Sequence, residues 1–383
     1  MGSAALYGGD RILFVDVARA YAVYLALSAH ALHVFGVPDV SEFVYNYPYF
    51  TSMATPMFIF MFGVMVELVY CRKAIEGVEQ WKVNLVNRSF QCYVGYALTS
   101  LSAFVLGYYG FSHFLSSLAF LADSRYGNIL FIYSFSLIVM IPLVILRKRM
   151  GVWFFPLSIL ALLLINNAAT SMTIGADAPY SYLMNRFFGV GEGSMGPSLL
   201  FALQFIILGM WVGSAINSGD SATRFYLFSM FISILILVYL VFSLHIDSIE
   251  KLKQVMTFYA YGPYRTENSL NYFFFGGFYS LVTFSLIRLF VEKFSVVRYL
   301  GVLVSPVGVC SLLVFTSGNI YLNVLGEASS VLYPSVSLTV FYVVMFLIAK
   351  YRQKVPGYAR IMRALNWVRL SYEKSSVNRT RVT

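Results

Sequence analysis

The 383-residue chain is 59% hydrophobic and only 11% charged, whereas soluble globular domains carry about 25% charged residues. This composition excludes a water-soluble enzyme. It also excludes a nucleic-acid-binding domain, although the net charge is +10, because the basic residues lie between long apolar stretches and form no soluble basic module. We interpret the charge as the topology signal of a polytopic membrane protein.

The first apolar stretch, residues 11–35, is long enough to span a bilayer, yet it contains Asp16, Arg19, His30 and His33. Ionisable groups are costly in hydrocarbon and normally face a bundle interior or a wet cavity. Arg19 and His30 are eleven residues apart, so on a helix their side chains point within about 20° of each other and lie about 16 Å apart along the axis. Such a helix could hold a long anionic cofactor with its reactive end at the imidazole.

The neighbours of these two residues allow more than one interpretation. Asp16 precedes Arg19 by one helical turn, so the two can form an ion pair that either neutralises charge or supports a phosphate-binding Arg19. His33 follows His30 by one turn and is either an orienting partner or an interfacial residue. His30 itself is the candidate catalytic residue, and the alternative is a structural histidine.

The hydrophobic pattern predicts an all-α fold with about ten transmembrane helices. A transmembrane domain over residues 1–350 precedes a basic tail, residues 351–383, in which Ile361, Leu365, Val368 and Tyr372 form the apolar stripe of an amphipathic helix on an anionic membrane surface. The predicted spans are 12–37, 49–71, 83–107, 127–147, 152–172, 197–217, 223–245, 269–292, 297–320 and 330–350.

Charge sets the expected orientation of these spans. With a cytoplasmic N-terminus, most of the 27 Lys and Arg residues lie inside, as the positive-inside rule requires. An even number of spans then places both termini in the cytoplasm. The outer loops 173–196 and 246–268 are either binding rims for sugar rings or simple connectors. The basic residues left outside are Arg125, Arg186, Lys251, Lys253 and Arg265.

Further polar residues lie near the inner ends of the next two spans. Arg88 and Arg72 are candidates to extend a phosphate site with Arg19, or else they anchor the topology, and Glu67 is a supporting candidate. The three cysteines lie far apart without metal-ligand spacing, so we predict buried small side chains and no metal site.

The segment FVDVARAYAVYLALSAH, which holds Arg19 and His30, resembles the signature of the membrane-bound acyltransferase-3 family, within the transmembrane acyltransferase superfamily. ATPMFIFMFGVMVELVY resembles the second span of that family. NILFIYSFSLIVMIPLVI, GPSLLFALQFIILGMWVG and CSLLVF are similar to later spans, most of all in the branch containing the osmoregulated periplasmic glucan succinyltransferase. Asn128 stands where that branch has an acidic residue.

The resemblance implies an enzyme of the bacterial inner membrane. It would move an acetyl or succinyl group from cytoplasmic acyl-CoA, its co-substrate, to a hydroxyl of a periplasmic or cell-surface glycan. Arg19 would bind CoA phosphate, and His30 would act as general base or carry the acyl group briefly. The number of subunits, a homodimer included, is left open.

Two other function classes use buried charges in membranes. A polysaccharide or lipid-linked-sugar flippase would move its substrate without consuming acyl-CoA, and many transporters carry internal repeats, which this sequence lacks. A haem or quinone protein would need paired histidines on facing helices, whereas His30 and His33 share one helix.

Overall fold

The computed structural model describes the polypeptide over most of its length, and the described residues are predominantly helical. No β-strand occurs in these ranges, which confirms the all-α class. The described residues are 11–34, 51–172, 180–190, 197–218, 222–261, 264, 267–325, 334–354, 358–366 and 369–370.

Sixteen α-helices follow one another along the described chain. The first eight are α1 (Leu13–Val34), α2 (Ala54–Met65), α3 (Arg72–Ile75), α4 (Gln80–Val105), α5 (Phe111–Leu118), α6 (Asn128–Met150), α7 (Phe154–Thr170) and α8 (Ser181–Phe188). The others are α9 (Leu199–Asn217), α10 (Ala222–Leu244), α11 (Ile249–Tyr261), α12 (Leu270–Lys293), α13 (Ser295–Val309), α14 (Ser311–Leu325), α15 (Pro334–Tyr351) and α16 (Tyr358–Leu365). A π-helix, Val66–Cys71, joins α2 to α3.

Several of these helices can cross a membrane. Five helical stretches within the described ranges are long and apolar enough, and the bent pair α13–α14 would make six. Helices α1 and α4, which correspond to the predicted spans 12–37 and 83–107, do not meet this criterion because their polar residues lower the mean hydropathy. The five stretches are Ala54–Ile75, Asn128–Thr170, Leu199–Asn217, Thr223–Leu244 and Leu270–Lys293.

The longest stretch, Asn128–Thr170, folds back on itself. Its 43 residues would extend about 65 Å as one straight helix, about twice the thickness of the hydrocarbon core. The chain turns at Gly151, whose φ of 60° lies in the region that favours glycine. Both arms then contact α8: Phe131 contacts Phe187, and Leu162 packs in one cluster with Met184. The predicted spans 127–147 and 152–172 therefore form a helical hairpin.

Helix α1 lies at the centre of the bundle, where it contacts α2, α12, α13 and α14. Very close packing surrounds it, because a Cβ atom at Gly308 of α13 would collide with the backbone carbonyl of Asp16. In the same way, Gly63 of α2 lies against the backbone of Ile206 of α9. Small residues of this kind let helix backbones approach closely in membranes.

The outer helices present apolar side chains to their surroundings. Only 22% of the Thr223–Leu244 stretch is buried, against 78% of Leu199–Asn217, so α10 lies at the periphery and α9 in the core. On α10, the side chains of Leu227, Phe231 and Phe242 are exposed. A continuous apolar surface of this kind suits contact with lipid tails.

Candidate functional site

A cavity of about 320 Å³ lies between α1, the α2–π-helix segment, α4, α6 and the junction of α13 and α14. Its lining combines two cations with a largely apolar wall, which suits a ligand that joins an anionic group to an apolar chain. The polar lining residues are Arg19, Tyr70, Arg88, Tyr133 and Ser311. The apolar ones include Phe58, Met61, Phe62, Met65, Leu130, Leu312 and Phe315.

Arg19 is held at the cavity wall by two neighbours. One NH2 hydrogen bond runs to Ser311 Oγ at 2.8 Å. The second partner is Asp16, whose carboxylate lies 3.5 Å from NH1, as predicted for residues one turn apart. The packing of Gly308 against the Asp16 backbone brings α13 next to this pair. A guanidinium fixed in this way can still donate further hydrogen bonds to an anion, since it carries five N–H groups.

Arg88 of α4 lines the same cavity. Its NH1 group donates to Oε1 of Gln91 at 2.8 Å, within the same helix. The two arginines come from helices that are far apart in the sequence, and the fold brings both to one cavity. Two guanidinium groups beside one apolar channel are suited to a phosphate or diphosphate group.

The junction between α13 and α14 adds a third favourable feature for an anion. The two helices meet at an angle of 74°, so the predicted span 297–320 is not one straight helix. The break falls at Cys310, whose backbone (φ −107°, ψ 27°) departs from the α-helical conformation. As a result, the first turn of α14, with Ser311 and Leu312, lines the cavity. The N-terminus of a helix carries partial positive charge and unpaired backbone N–H groups.

His30 lies further along α1 and contacts the same helix, α14, that Arg19 contacts. Its Nδ1 atom is 2.8 Å from Oδ1 of Asn319, and Asn319 Nδ2 donates to the backbone carbonyl of Tyr126 at 3.0 Å. A carbonyl oxygen only accepts, so Asn319 must turn its NH2 group toward Tyr126 and its oxygen toward His30. His30 therefore carries a proton on Nδ1, and the neutral ring has its lone pair on Nε2, the atom a general base uses.

Aromatic rings hold the imidazole of His30 in place. Tyr126 stacks on it with ring centroids 4.7 Å apart, and Phe315 lies on another side at 5.8 Å. Tyr126 has a φ of 62°, an uncommon conformation for a residue with a side chain, and such residues are often found at functional sites. The guanidinium of Arg125 lies 3.7 Å from the ring centroid of Tyr108 and 5.2 Å from that of Tyr126, the ring that stacks on His30.

The cavity and His30 are separated by a pair of phenylalanine rings. His30 is absent from the described lining of the cavity, whereas Phe315 both lines the cavity and contacts the imidazole. The ring of Phe58 lies 5.3 Å from that of Phe315. Phe315 therefore lies between the cavity and the imidazole, with Phe58 beside it.

Two other candidates from the sequence are not brought to the cavity, and a third is not described by the structure. Arg72 is 53% exposed and pairs with Glu76 at 3.0 Å, because the π-helix and α3 turn it to the surface. Glu67 faces away from the cavity and pairs with Arg147 at 3.0 Å. The side chain of His33 lies outside the described residues, so its proposed role stays a prediction.

Sequence reasoning did not single out Asn319, Tyr126, Phe315 or Ser311. All of them reach the site through contacts with α1 that depend on the α13–α14 bend and on the loop before α6. No local signal placed the break at Cys310 or marked Asn319 as a partner of His30.

At the His30 end of the bundle, Arg186 of α8 joins three elements. It forms an ion pair with Asp123, donates to Asn128 Oδ1 at 3.2 Å and donates to the Tyr182 hydroxyl at 2.7 Å. Burial raises the pKa of Tyr182 above its ordinary value, so the hydroxyl is neutral at physiological pH. This cluster fixes α8 against the start of α6, on the side where the His30 imidazole lies.

Within the described part of the chain, no three His, Cys, Asp or Glu side chains come together in a way that could hold a metal ion. Comparison with protein-family models and with curated proteins gives no match. The chemistry of the site therefore carries the functional argument.

Proposed function

We propose that this protein is an integral membrane acyltransferase that transfers an acyl group from acyl-CoA to a glycan hydroxyl, with His30 as its catalytic residue. The supporting observation is the contact of both Arg19 and His30 with α14, at Ser311 and Asn319 respectively. One helix pair thus joins an anion-binding cavity to an oriented imidazole. The acetyl or succinyl group, the ten-span topology and the bacterial inner membrane belong to the same proposal.

Acyl-CoA suits the cavity on chemical grounds. Its phosphates are anionic, and Arg19 and Arg88 line the wall together with the first turn of α14. Its pantetheine arm is long and uncharged, which suits the apolar lining between the arginines and Phe315. With about 16 Å between Arg19 and His30 along the helix axis, the thioester would reach the imidazole once Phe58 and Phe315 had moved apart.

The proposed reaction is a direct transfer. His30 Nε2 accepts the proton of the acceptor hydroxyl while the hydroxyl oxygen bonds to the thioester carbon. The carbon–sulfur bond breaks, and the imidazolium returns the proton to the departing sulfur, so the products are the glycan ester and free CoA. Asn319 keeps the proton on Nδ1 throughout, as the orienting partner of a general base does.

The test uses purified full-length protein, labelled acetyl-CoA or succinyl-CoA, and glycans from the cell envelope. We expect His30→Ala to lower the rate of label transfer by about 10²–10⁴-fold, the usual contribution of a general base. His113→Ala is the matched control, because that histidine is exposed and its Nε2 lies 2.9 Å from the Asp123 backbone carbonyl. The rate of this variant should equal that of the unaltered protein.

Each outcome of this test points to one conclusion. Normal transfer by His30→Ala would refute the catalytic assignment. Movement of a glycan across a vesicle membrane without any consumption of acyl-CoA would favour the flippase instead. The mass added to the glycan identifies the acyl group.

A further inference from the structure

The C-terminal helix α16 lies beside α4, close to the proposed anion site. Its basic and apolar side chains Arg360, Ile361 and Arg363 are exposed, whereas Asn366, directly after the helix, is half-buried. Asn366 Oδ1 accepts two hydrogen bonds from α4, one from Asn87 Nδ2 at 3.0 Å and one from Gln91 Nε2 at 3.0 Å.

These hydrogen bonds continue to the cavity. Gln91 Oε1 accepts from Arg88 NH1 at 2.8 Å, so Asn366, Gln91 and Arg88 form one chain. Arginine has donors only, and Gln91 must therefore turn its oxygen toward Arg88 and its NH2 group toward Asn366. Asn366 in turn must present its oxygen. The charge of Arg88 thus determines the orientation of each amide in the chain.

Without an acceptor at position 366, the amide of Gln91 loses the partner that holds its NH2 group away from Arg88. A rotated amide would present N–H groups to the guanidinium, which repels them. Gln91 and Asn87 are both buried, where polar groups depend on partners of the correct kind. The orientation of Gln91, and with it the position of Arg88, depends on Asn366.

We propose that Asn366 is a positioning residue for Arg88, so that the C-terminal helix forms part of the anion-binding site. This inference rests on the proposed function for the identity of the anion, acyl-CoA. Asn366 is not one of the residues that line the cavity, and it lies at the opposite end of the site from His30. Its loss should therefore weaken anion binding and raise KM for acyl-CoA, while kcat stays unchanged.

The experiment compares two variants of the full-length protein. Asn366→Leu keeps the size of the side chain but removes the acceptor, whereas Asn366→Asp keeps an acceptor oxygen. We measure Kd by calorimetry with CoA and, separately, with inorganic pyrophosphate. Asn366→Leu should bind both anions about fivefold or more weakly, the lower limit of typical coupling between sites. Asn366→Asp should restore the affinity, and KM for acyl-CoA should follow Kd at constant kcat.

The outcomes separate the two proposals. Unchanged affinity in Asn366→Leu overturns the positioning role, and so does an Asn366→Asp variant as weak as Asn366→Leu. If the protein binds pyrophosphate but does not bind CoA, only the acyl-CoA proposal is overturned. The pyrophosphate affinities of the two variants then decide the role of Asn366. Binding of neither anion overturns both proposals.

A measurement on the unaltered protein covers the case in which Asn366→Leu does not fold. Coupling between two sites is reciprocal, so a bound anion should hold the tail more firmly against α4. Saturating pyrophosphate or CoA should then slow tryptic cleavage at Arg360 and Arg363. An unchanged cleavage rate under saturating anion overturns the inference.

Discussion

Two of the arginine–carboxylate pairs in the described part of the bundle differ in what surrounds them. Arg147 and Glu67 are 3.0 Å apart, with side chains that are 10% and 2% exposed. Arg19 and Asp16 are 3.5 Å apart and 17% and 14% exposed. Protein encloses the first pair, whereas the arginine of the second lines the cavity.

The environment of Arg147 explains the enclosure. Its NH2 group also donates to Ser214 at 3.0 Å, and its guanidinium lies 4.6 Å from the ring centroid of Phe155. Asn217 Nδ2 donates to the backbone carbonyl of Glu67 at 3.2 Å. This pair joins the ends of α6 and α9 to the π-helix.

An ionisable residue in a membrane helix is therefore insufficient evidence of a binding site. Such residues are costly in hydrocarbon and usually functional. A pair that neighbouring helices enclose, however, serves to join those helices. A pair that borders a cavity keeps donors for a ligand. The three predictions below test this difference, in order of decreasing effect.

The largest effect is expected at the enclosed pair. Arg147→Met leaves the Glu67 carboxylate buried without its cation, which should lower the free energy of unfolding by about 3–5 kcal/mol. The double variant Glu67→Leu/Arg147→Met removes both charges and should recover most of that loss. Thermal unfolding in detergent micelles measures the stability of both variants. A single variant as stable as the unaltered protein would show that the pair is not structural.

A smaller effect, on binding and not on stability, is expected at the cavity. Arg19→Met removes charge-assisted hydrogen bonds to the anion, each of about 1.5–3 kcal/mol, so Kd for CoA should rise about tenfold to a hundredfold. The melting temperature should change little, because the guanidinium borders open space. Arg72→Gln is the matched control at an exposed arginine and should leave Kd unchanged. Equal losses in the two variants would argue for a diffuse basic surface in place of a site.

The smallest effect is expected at Asp16. Its carboxylate competes with a bound anion for Arg19, and exposed or partly exposed pairs contribute about 0.2–1 kcal/mol. Asp16→Asn should therefore strengthen CoA binding by about twofold to fivefold, as measured by calorimetry. Weaker binding in Asp16→Asn would mean that the carboxylate orients Arg19 more than it competes for it.

The hydrophobic pattern was sufficient to predict the helical class and the positions of most long helices. The eleven-residue spacing in α1 also predicted that Arg19 and His30 share a face, in agreement with their contacts to α14. The pattern did not reveal that 297–320 is bent by 74° at Cys310. It favoured a topology anchor more for Arg72 than for Arg88, but it kept both as phosphate candidates, and of the two only Arg88 lines the cavity.

The sequence by itself determined what depends on a single helix: its apolarity, its charges, and the direction of side chains that repeat every 3.6 residues. Tertiary structure decided what depends on two helices at once. The angles at which helices meet bring Asn319 to His30, place Arg88 at the cavity and enclose Arg147. Those angles follow from packing between residues far apart in the chain, such as Gly308 against Asp16, and no local pattern encodes them.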